Sequence, residues 1–484
     1  MTVESSSDAE ASQSPLFVNL DGTLLATDLP HEMFVSACRN APLVLLQAPL
    51  WLAFGGKQVL KSRLESKAKL SVRDLPYRTD VIDLIKSRKA KGGRIYLTTA
   101  AGIHHAQAVA AHLKLFDDVI ACDDGILEGE AKLRAIRAIC NGRFDYVGHA
   151  LADLPVWRAC ELRYLVNPST SLRQAVFAFC TPEKIFCSGS DRARAVFKAL
   201  RPYQWIKNLL AFLPVFFAHQ GDRSDKLAAA TVAFVCLCMS ASSVYVFNDL
   251  LDVADDRAHP RKRRRAFASG SIPLAWGFAI LPLLILFAIG LAVAVLPRPF
   301  VAWLLLYLAM SNAYSVYLKT RLLVDVMVLA GLYTLRILAG GAATGIEVSP
   351  WLLAFSIFLF SSLAFAKRYV ELSAVQSGKH RLMQGRSYVP EDLNIIQVVG
   401  PCSGYMAVLV FALYINGSEI AVRLYRRPMF LWLMCPLLMY WITRIWFFAR
   451  RGALRHDPVL FALTDRISWI VALTAMILAV LASR

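Results

Sequence analysis

The stretch Asn248-Asp249-Leu250-Leu251-Asp252-Val253-Ala254-Asp255-Asp256-Arg257-Ala258-His259-Pro260-Arg261-Lys262-Arg263-Arg264-Arg265 follows directly on an apolar run, Ala228 to Phe247, long enough to cross a bilayer. Ionisable residues at such a place are costly in lipid and mark a site by default. If the helix continues past Phe247, Asp249, Asp252 and Asp256 fall at i, i+3 and i+7 on one face. Carboxylates so placed repel one another unless a cation sits among them. Their oxygens suit Mg²⁺, which binds through a few carboxylates together with substrate phosphates. His259, Lys262 and Arg265 then supply cations suited to phosphate oxygens. A plain acidic helix end followed by a basic loop is the bland alternative. It does not account for the Asp spacing beside the basic cluster.

The 484 residues are 57% hydrophobic with a mean hydropathy of +0.48, which excludes an ordinary soluble protein. The formal charge of +18 does not point to nucleic acid, because Lys and Arg cluster between apolar runs and no DNA or RNA motif is present. Ten scattered Cys without CxxC spacing read as small buried hydrophobes. The polar, acidic first fifteen residues carry no signal-peptide pattern, and residues 1–13 read as disordered.

Ahead of the apolar runs, Leu16 to Thr23, Arg94 to Thr99 and Asp145 to His149 read as strands separated by helices, a Rossmann-type parallel α/β sheet. Between the first two strands, Ala41 to Gly56 is nearly all apolar but short for a span and broken by Pro42 and Pro49. It reads as a cap helix or hairpin lying on the membrane or on the second domain. Thr181 to Ala199 reads as a linker running into a basic amphipathic helix.

Residues 14–185 resemble the haloacid dehalogenase-like (HAD) phosphatases. Asn19-Leu20-Asp21-Gly22-Thr23 stands where that family has Asp-x-Asp-Gly-Thr, and Thr99, Lys132 and Gly148-His149-Ala150-Leu151-Ala152-Asp153 match its later motifs. The resemblance places Asn19 at the nucleophile, where an amide cannot form an acyl-phosphate. His149 replaces a carboxylate similar to a Mg²⁺ ligand. The expectation is a domain without phosphatase activity.

From Trp205 onward nine apolar runs predict an all-α polytopic membrane domain over 200–484, joined through 186–199. Loop charge puts the N-terminal domain and the basic loops on the cytoplasmic side of a bacterial-type inner (plasma) membrane. Lys207 and Asn208 open the first run, Tyr314 and Lys319 close the fourth, and Asp325 and Arg336 lie within the fifth. All but Arg336 fall at or near ends predicted to face the cytoplasm, which favours one polar cavity. Structural pairing of Asp325 and Arg336, and snorkelling of Lys207 and Lys319 to the interface, are the alternatives.

This region resembles the UbiA superfamily of intramembrane prenyltransferases. The resemblance rests on Arg201-Pro202-x-Gln204-Trp205-x-Lys207-Asn208, Asn248-Asp249-x-x-Asp252-x-x-x-Asp256, His259-Pro260-x-Lys262, Tyr314 and Lys319. The end of the sixth run, with Lys367, Arg368 and Glu371, and the later Gly452-x-x-x-x-x-Asp457-Pro458 look like the decaprenyl-phosphate phosphoribosyltransferase branch. That likeness implies transfer of a 5-phosphoribosyl group from phosphoribosyl pyrophosphate (PRPP) to a polyprenyl phosphate. Mg²⁺ would sit on Asp249, Asp252 and Asp256, and Lys207, Lys262, Arg265, Lys367 and Arg368 would hold the anionic substrates. Arg201, Asn208, Asn248, His259, Asp325, Arg336 and Glu371 are further candidate substrate contacts, and Tyr314 and Lys319 join the catalytic set. The alternative is prenyl transfer from a polyprenyl diphosphate to an aromatic or other small acceptor. The sequence leaves oligomerisation open.

Overall fold

A computed structural model describes residues 14–99, 102–121, 127–140, 142–187, 191–260, 262–376, 387–417, 425–454 and 457–483. The expected disorder of residues 1–13 lies outside the described residues. The chain divides into two compact units, one of residues 1–200 with 246–281 and one of 201–245 with 282–484.

The first unit is built on six parallel strands: β1 (Leu16–Asn19), β2 (Ile95–Thr98), β3 (Asp118–Ile120), β4 (Asp145–Gly148), β5 (Arg163–Val166) and β6 (Lys184–Phe186), in the order β3-β2-β1-β4-β5-β6. Apolar clusters lie on both faces of the sheet. Leu16 and Val18 face one with Val81, Ile85 and Val109; Phe17 faces the other with Tyr146, Trp157 and Val176. Burial on both sides explains why the central strands read as short continuous apolar runs and not as alternating ones. β1 sits at the reversal of strand order, and crevices at such switch points are where open α/β sheets take ligands. Of the expected linker and basic amphipathic helix over 181–199, the helix is present at Arg192–Ala199, while the linker part is corrected by β6. That edge strand is only three residues long, and so short a run carries no detectable period.

The expected cap segment is helical from Val44 to Lys67, with a break at Gly56, where φ is +64°. Glycine tolerates that backbone without a Cβ penalty.

Eight helices among the described residues are long and apolar enough to cross a membrane: Ser224–Leu251, Leu274–Val295, Arg298–Val316, Val324–Thr344, Pro350–Gln376, Pro390–Gly417, Met429–Arg450 and Arg466–Ser483. The chain is a multi-pass membrane protein. The first of the nine expected apolar runs takes another form, with 3₁₀ turns over Pro202–Phe212 and a five-residue helix Leu213–Phe217. Pro214 removes a backbone donor there, and the polar Lys207 and Asn208 are buried, which does not suit a lipid-facing helix.

Candidate active site

The acidic segment lies in the first unit. The Ser224–Leu251 helix stops at Leu251, and Asp252 stands at the head of a second short helix, Val253–Ala258, without a side-chain capping bond. The interruption is slight: the Asp252 and Asp256 amides still donate to the carbonyls four residues back, of Asn248 and Asp252, at 2.9 and 2.8 Å. Asp249 and Asp256 are 3% and 1% exposed, whereas Asp252 is half-buried.

Arg265 joins the two buried carboxylates. Its Nη1 donates to Asp249 Oδ1 at 3.1 Å and to Asp256 Oδ2 at 2.7 Å. Burial works against the guanidinium charge, but Asp249, Asp256 and Asp252 hold its pKa above the ordinary value. Burial pushes the Asp256 carboxyl up to about 6 despite Arg265. Its other oxygen, Oδ1, is buried without a hydrogen-bond partner among the described residues.

The donor set suits a hard divalent cation: Asp249 and Asp256 already converge on one positive centre, and a buried carboxylate oxygen is left over. The correspondence is narrower than the Asp spacing implies. Among the described residues no three acidic, His or Cys side chains are grouped to hold a metal ion. Asp252, at the interruption between the two helices, is half-buried and still acts with Asp249 and Asp256 on the Arg265 charge.

Around this segment, Arg257 makes a two-pronged pair with Glu32 at 2.7 and 2.9 Å and donates to the Ala268 carbonyl at 3.0 Å. Asp255 pairs with Arg39 at 2.7 Å. His259 Nδ1 accepts from the Lys262 amide at 3.3 Å, while the Lys262 side chain is exposed.

The second unit carries a separate, mainly cationic cluster. Lys207 and Lys367 donate to one oxygen of Asp457, at 3.0 and 3.2 Å. The other Asp457 oxygen accepts from the Val459 amide at 3.0 Å, capping the Pro458–Thr464 helix. Burial opposes the Asp457 charge, but Lys367 and Lys207 outweigh it and hold the carboxyl well below the usual range. The Tyr333 ring lies 5.7 Å from the Lys207 ammonium.

Beside it, Asn208 accepts from Arg336 Nε at 2.8 Å, and Arg336 reaches the Tyr307 hydroxyl at 2.9 Å. A third group centres on Arg368, which pairs with Asp325 at 2.7 Å and contacts Glu371 and Tyr314. Tyr388 donates to Asp325 at 2.6 Å. Arg368 and Asp325 are both fully buried, so the pair is already spent on itself and on its tyrosines. Arg201 has φ +53° and stacks on Tyr245 at 5.1 Å, and Lys319 is half-buried in the Leu318–Thr320 turn.

The residues singled out in the α/β unit lie near the ends of β1, β2 and β4. Lys132 Nζ donates to Asn19 Oδ1 at 3.2 Å and to Asp153 at 2.8 Å, and Tyr146 donates to Asp153 at 2.7 Å. The Asn19 amide donates to the Asp21 carbonyl at 2.7 Å. Asp21 accepts from Thr99 at 3.0 Å and from the Leu29 amide at 2.7 Å. His149 lies 3.2 Å from the Thr23 hydroxyl and covers the turn at Gly22, where a Cβ would come within 2.4 Å of its ring. Every polar group named here already has a protein partner.

Sequence reasoning passed over Asp457 as a site residue, and it passed over Glu32 and Arg257. An Asp-Pro pair ahead of a helical run is the signal of an N-cap with Pro at N1, and could have marked Asp457 but not its lysines. Glu32 and Arg257 are 225 positions apart and leave no local signal.

The UbiA prenyltransferase family matches residues 208–463, more than half of the chain. The protein belongs to that family. It is 34% identical to "Uncharacterized protein y4nM" of Sinorhizobium fredii over 94% of this chain and 89% of that one. It is 32% identical to the decaprenyl-phosphate phosphoribosyltransferase of Mycobacterium tuberculosis over 57% of this chain and 90% of that enzyme. A UbiA homologue of Archaeoglobus fulgidus solved with GPP and Mg²⁺ overlays with a TM-score of 0.45 at 15% identity, covering 59% of this chain and 99% of that one.

Proposed function

We propose that the protein transfers a 5-phosphoribosyl group from PRPP to a polyprenyl phosphate, with release of diphosphate. The observation that carries the reading is the convergence of Lys207 and Lys367 on one oxygen of Asp457. Two ammonium groups on one carboxylate leave a surplus positive charge, suited to a phosphate oxygen. A donor and an acceptor that each carry a phosphate beyond the leaving diphosphate need such a second cationic centre. A prenyl diphosphate with a small acceptor does not. The likeness to a decaprenyl-phosphate phosphoribosyltransferase supports the same choice.

Asp249 and Asp256, with Asp252 beside them, would hold Mg²⁺, whose charge supplies neutralisation of a leaving diphosphate. Arg265, which already meets both carboxylates, and the exposed Lys262 would share that anionic load. A bond forms between a lipid phosphate oxygen and the anomeric carbon as the bond from that carbon to diphosphate breaks. The attacking oxygen is already anionic, so no general base is required. Lys207 and Lys367 orient a phosphate, and Arg336 holds Asn208 in place. Arg368, Asp325 and Glu371 brace the helix that carries Lys367 and make no direct substrate contact in this account. The basic loops face the cytoplasm of a bacterial inner membrane.

The α/β portion is read as an HAD-like domain without hydrolytic activity, since Asn19 offers no nucleophilic carboxylate and Lys132 is engaged with it. The test supplies radiolabelled PRPP, or in parallel polyprenyl diphosphate with an aromatic acceptor, to the purified protein in lipid nanodiscs. Label entering lipid from PRPP supports the proposal. Product from the diphosphate alone replaces it with prenyl transfer.

A further inference from the structure

Residues 41–56 contain no charged side chain, and the described part of this segment is apolar on nearly every side. Val44 and Ala48 point inward and pack with Met33, Ala37, Cys38 and Leu64. That inner face leaves Leu43, Leu50, Leu52 and Phe54 outside, at 66%, 56%, 48% and 87% exposure in the whole chain. Soluble surfaces scatter such residues singly; these four and Leu45, within twelve positions of one segment, form a patch with a purpose.

The segment is held firmly in this pose. The break at Gly56 turns the helix back, and Leu60 and Leu64 of the second arm join the same apolar cluster as the first. Lys67 donates to Gln47 at 3.2 Å and lies 5.0 Å from the Trp51 ring, tying the two arms together. Phe54 is therefore at the tip of a pinned hairpin.

The same cluster includes Leu251, the last residue of the apolar Ser224–Leu251 helix. A hairpin packed on the residue where a membrane-spanning helix ends lies at the level where that helix leaves the lipid. The second arm adds Lys57, Lys61, Arg63 and Lys67 against a single Glu65. An apolar arm beside a basic one is the make-up of a helix that lies in the interface of an anionic bilayer.

We infer that the Leu43–Phe54 face is a lipid-binding surface, seated in the headgroup region of an anionic leaflet beside the end of the Ser224–Leu251 helix. It does not depend on which groups the enzyme transfers.

The full-length protein is placed in nanodiscs of mixed zwitterionic and anionic phospholipid, with the photoreactive residue p-benzoyl-phenylalanine at position 54, at position 50 or, as a control, at position 66. Ser66 is an exposed residue of the basic arm. The expected result is lipid adducts at positions 54 and 50 in at least tenfold excess over position 66, richer in the anionic lipid than the nanodisc itself. Adducts to another part of the chain or to a second copy would overturn the inference, as would equal lipid yield at position 66. Adducts no richer in anionic lipid than the nanodisc would overturn its anionic part. All three positions are exposed, so folding is not at stake; unchanged thermal melting of each labelled protein verifies that.

Discussion

Glu32 and Arg257 meet through both prongs of the guanidinium, at 2.7 and 2.9 Å, with 3% and 7% of their side chains exposed. The contact fastens the Leu29–Asn40 helix to the residue directly after Asp256. Removing one partner strands a buried charge, which costs about 3–5 kcal/mol. Glu32→Ala and Arg257→Ala are each expected to lower the melting temperature sharply and to cut transfer activity. The paired change Glu32→Leu with Arg257→Met should recover much of the stability, because no unpaired charge remains. Thermal melts of the four proteins in detergent check this; a double variant as unstable as the sum of the singles would refute it.

Asp249 and Asp256 share Arg265, and the proposal gives them the metal. Asp249→Asn and Asp256→Asn should each reduce transfer by about 100-fold or more, the scale of losing about 3 kcal/mol of charge stabilisation at a reacting centre. Adding a chelator to the unaltered protein should do the same, with recovery on returning Mg²⁺. Initial rates measure both, and undiminished activity in the two variants would remove the aspartates from the chemistry.

Asp457 neutralises two lysines at once. Asp457→Ala leaves both ammonium groups in poorly solvated surroundings and is expected to destabilise the protein by about 2–5 kcal/mol. Inorganic pyrophosphate should return more stability to this variant than to the parent, since an added anion replaces the lost carboxylate. Thermal shift against pyrophosphate concentration reads the difference. Equal shifts in the two proteins would show that Lys207 and Lys367 do not receive phosphate.

Asn19 is tied to Lys132 and to the Asp21 carbonyl, and His149 covers the adjoining turn. The protein should release little phosphate from a phosphoribosyl lipid. Asn19→Asp alone should restore little, because the His149 ring still covers the turn at Gly22. Colorimetric phosphate release tests this, and rapid turnover by either protein would contradict it.

Burial of His149 disfavours its protonated form and lowers its pKa, with Asp28 and Asp153 opposing and Lys132 adding to the shift. A depressed folded-state pKa contributes stability that is present above the unfolded value, about 6.5 for histidine, and is lost as pH falls. Melting of the α/β unit should therefore weaken below about pH 6.5, and His149→Gln should flatten that slope. An unchanged slope in the variant would assign the effect elsewhere.

Much of the architecture is legible from local signals. The buried strands around Phe17 and Val147 and the long apolar helices show in continuous hydrophobic runs, and Asp249 and Asp256 show in their seven-residue spacing. What the sequence hides depends on distance or brevity. β6 is too short to have a period, and the Trp205–Ala218 run gives no sign that it winds as 3₁₀ turns before a five-residue helix. Arg265, which both buried aspartates share, lies nine positions beyond Asp256, and the Asp spacing does not announce it as their partner. The partnership of Lys207 with Asp457 spans 250 positions and emerges only from the folded chain.

The account stands most directly on the lipid product. Purified protein in nanodiscs is supplied with polyprenyl phosphate, PRPP and Mg²⁺, and the lipids are extracted for mass spectrometry. The account predicts a new lipid heavier than the acceptor by one phosphoribosyl group, formed with an equivalent of diphosphate and absent when the metal is chelated. An acceptor lipid of unchanged mass, from protein shown to be folded and loaded with Mg²⁺, would contradict it.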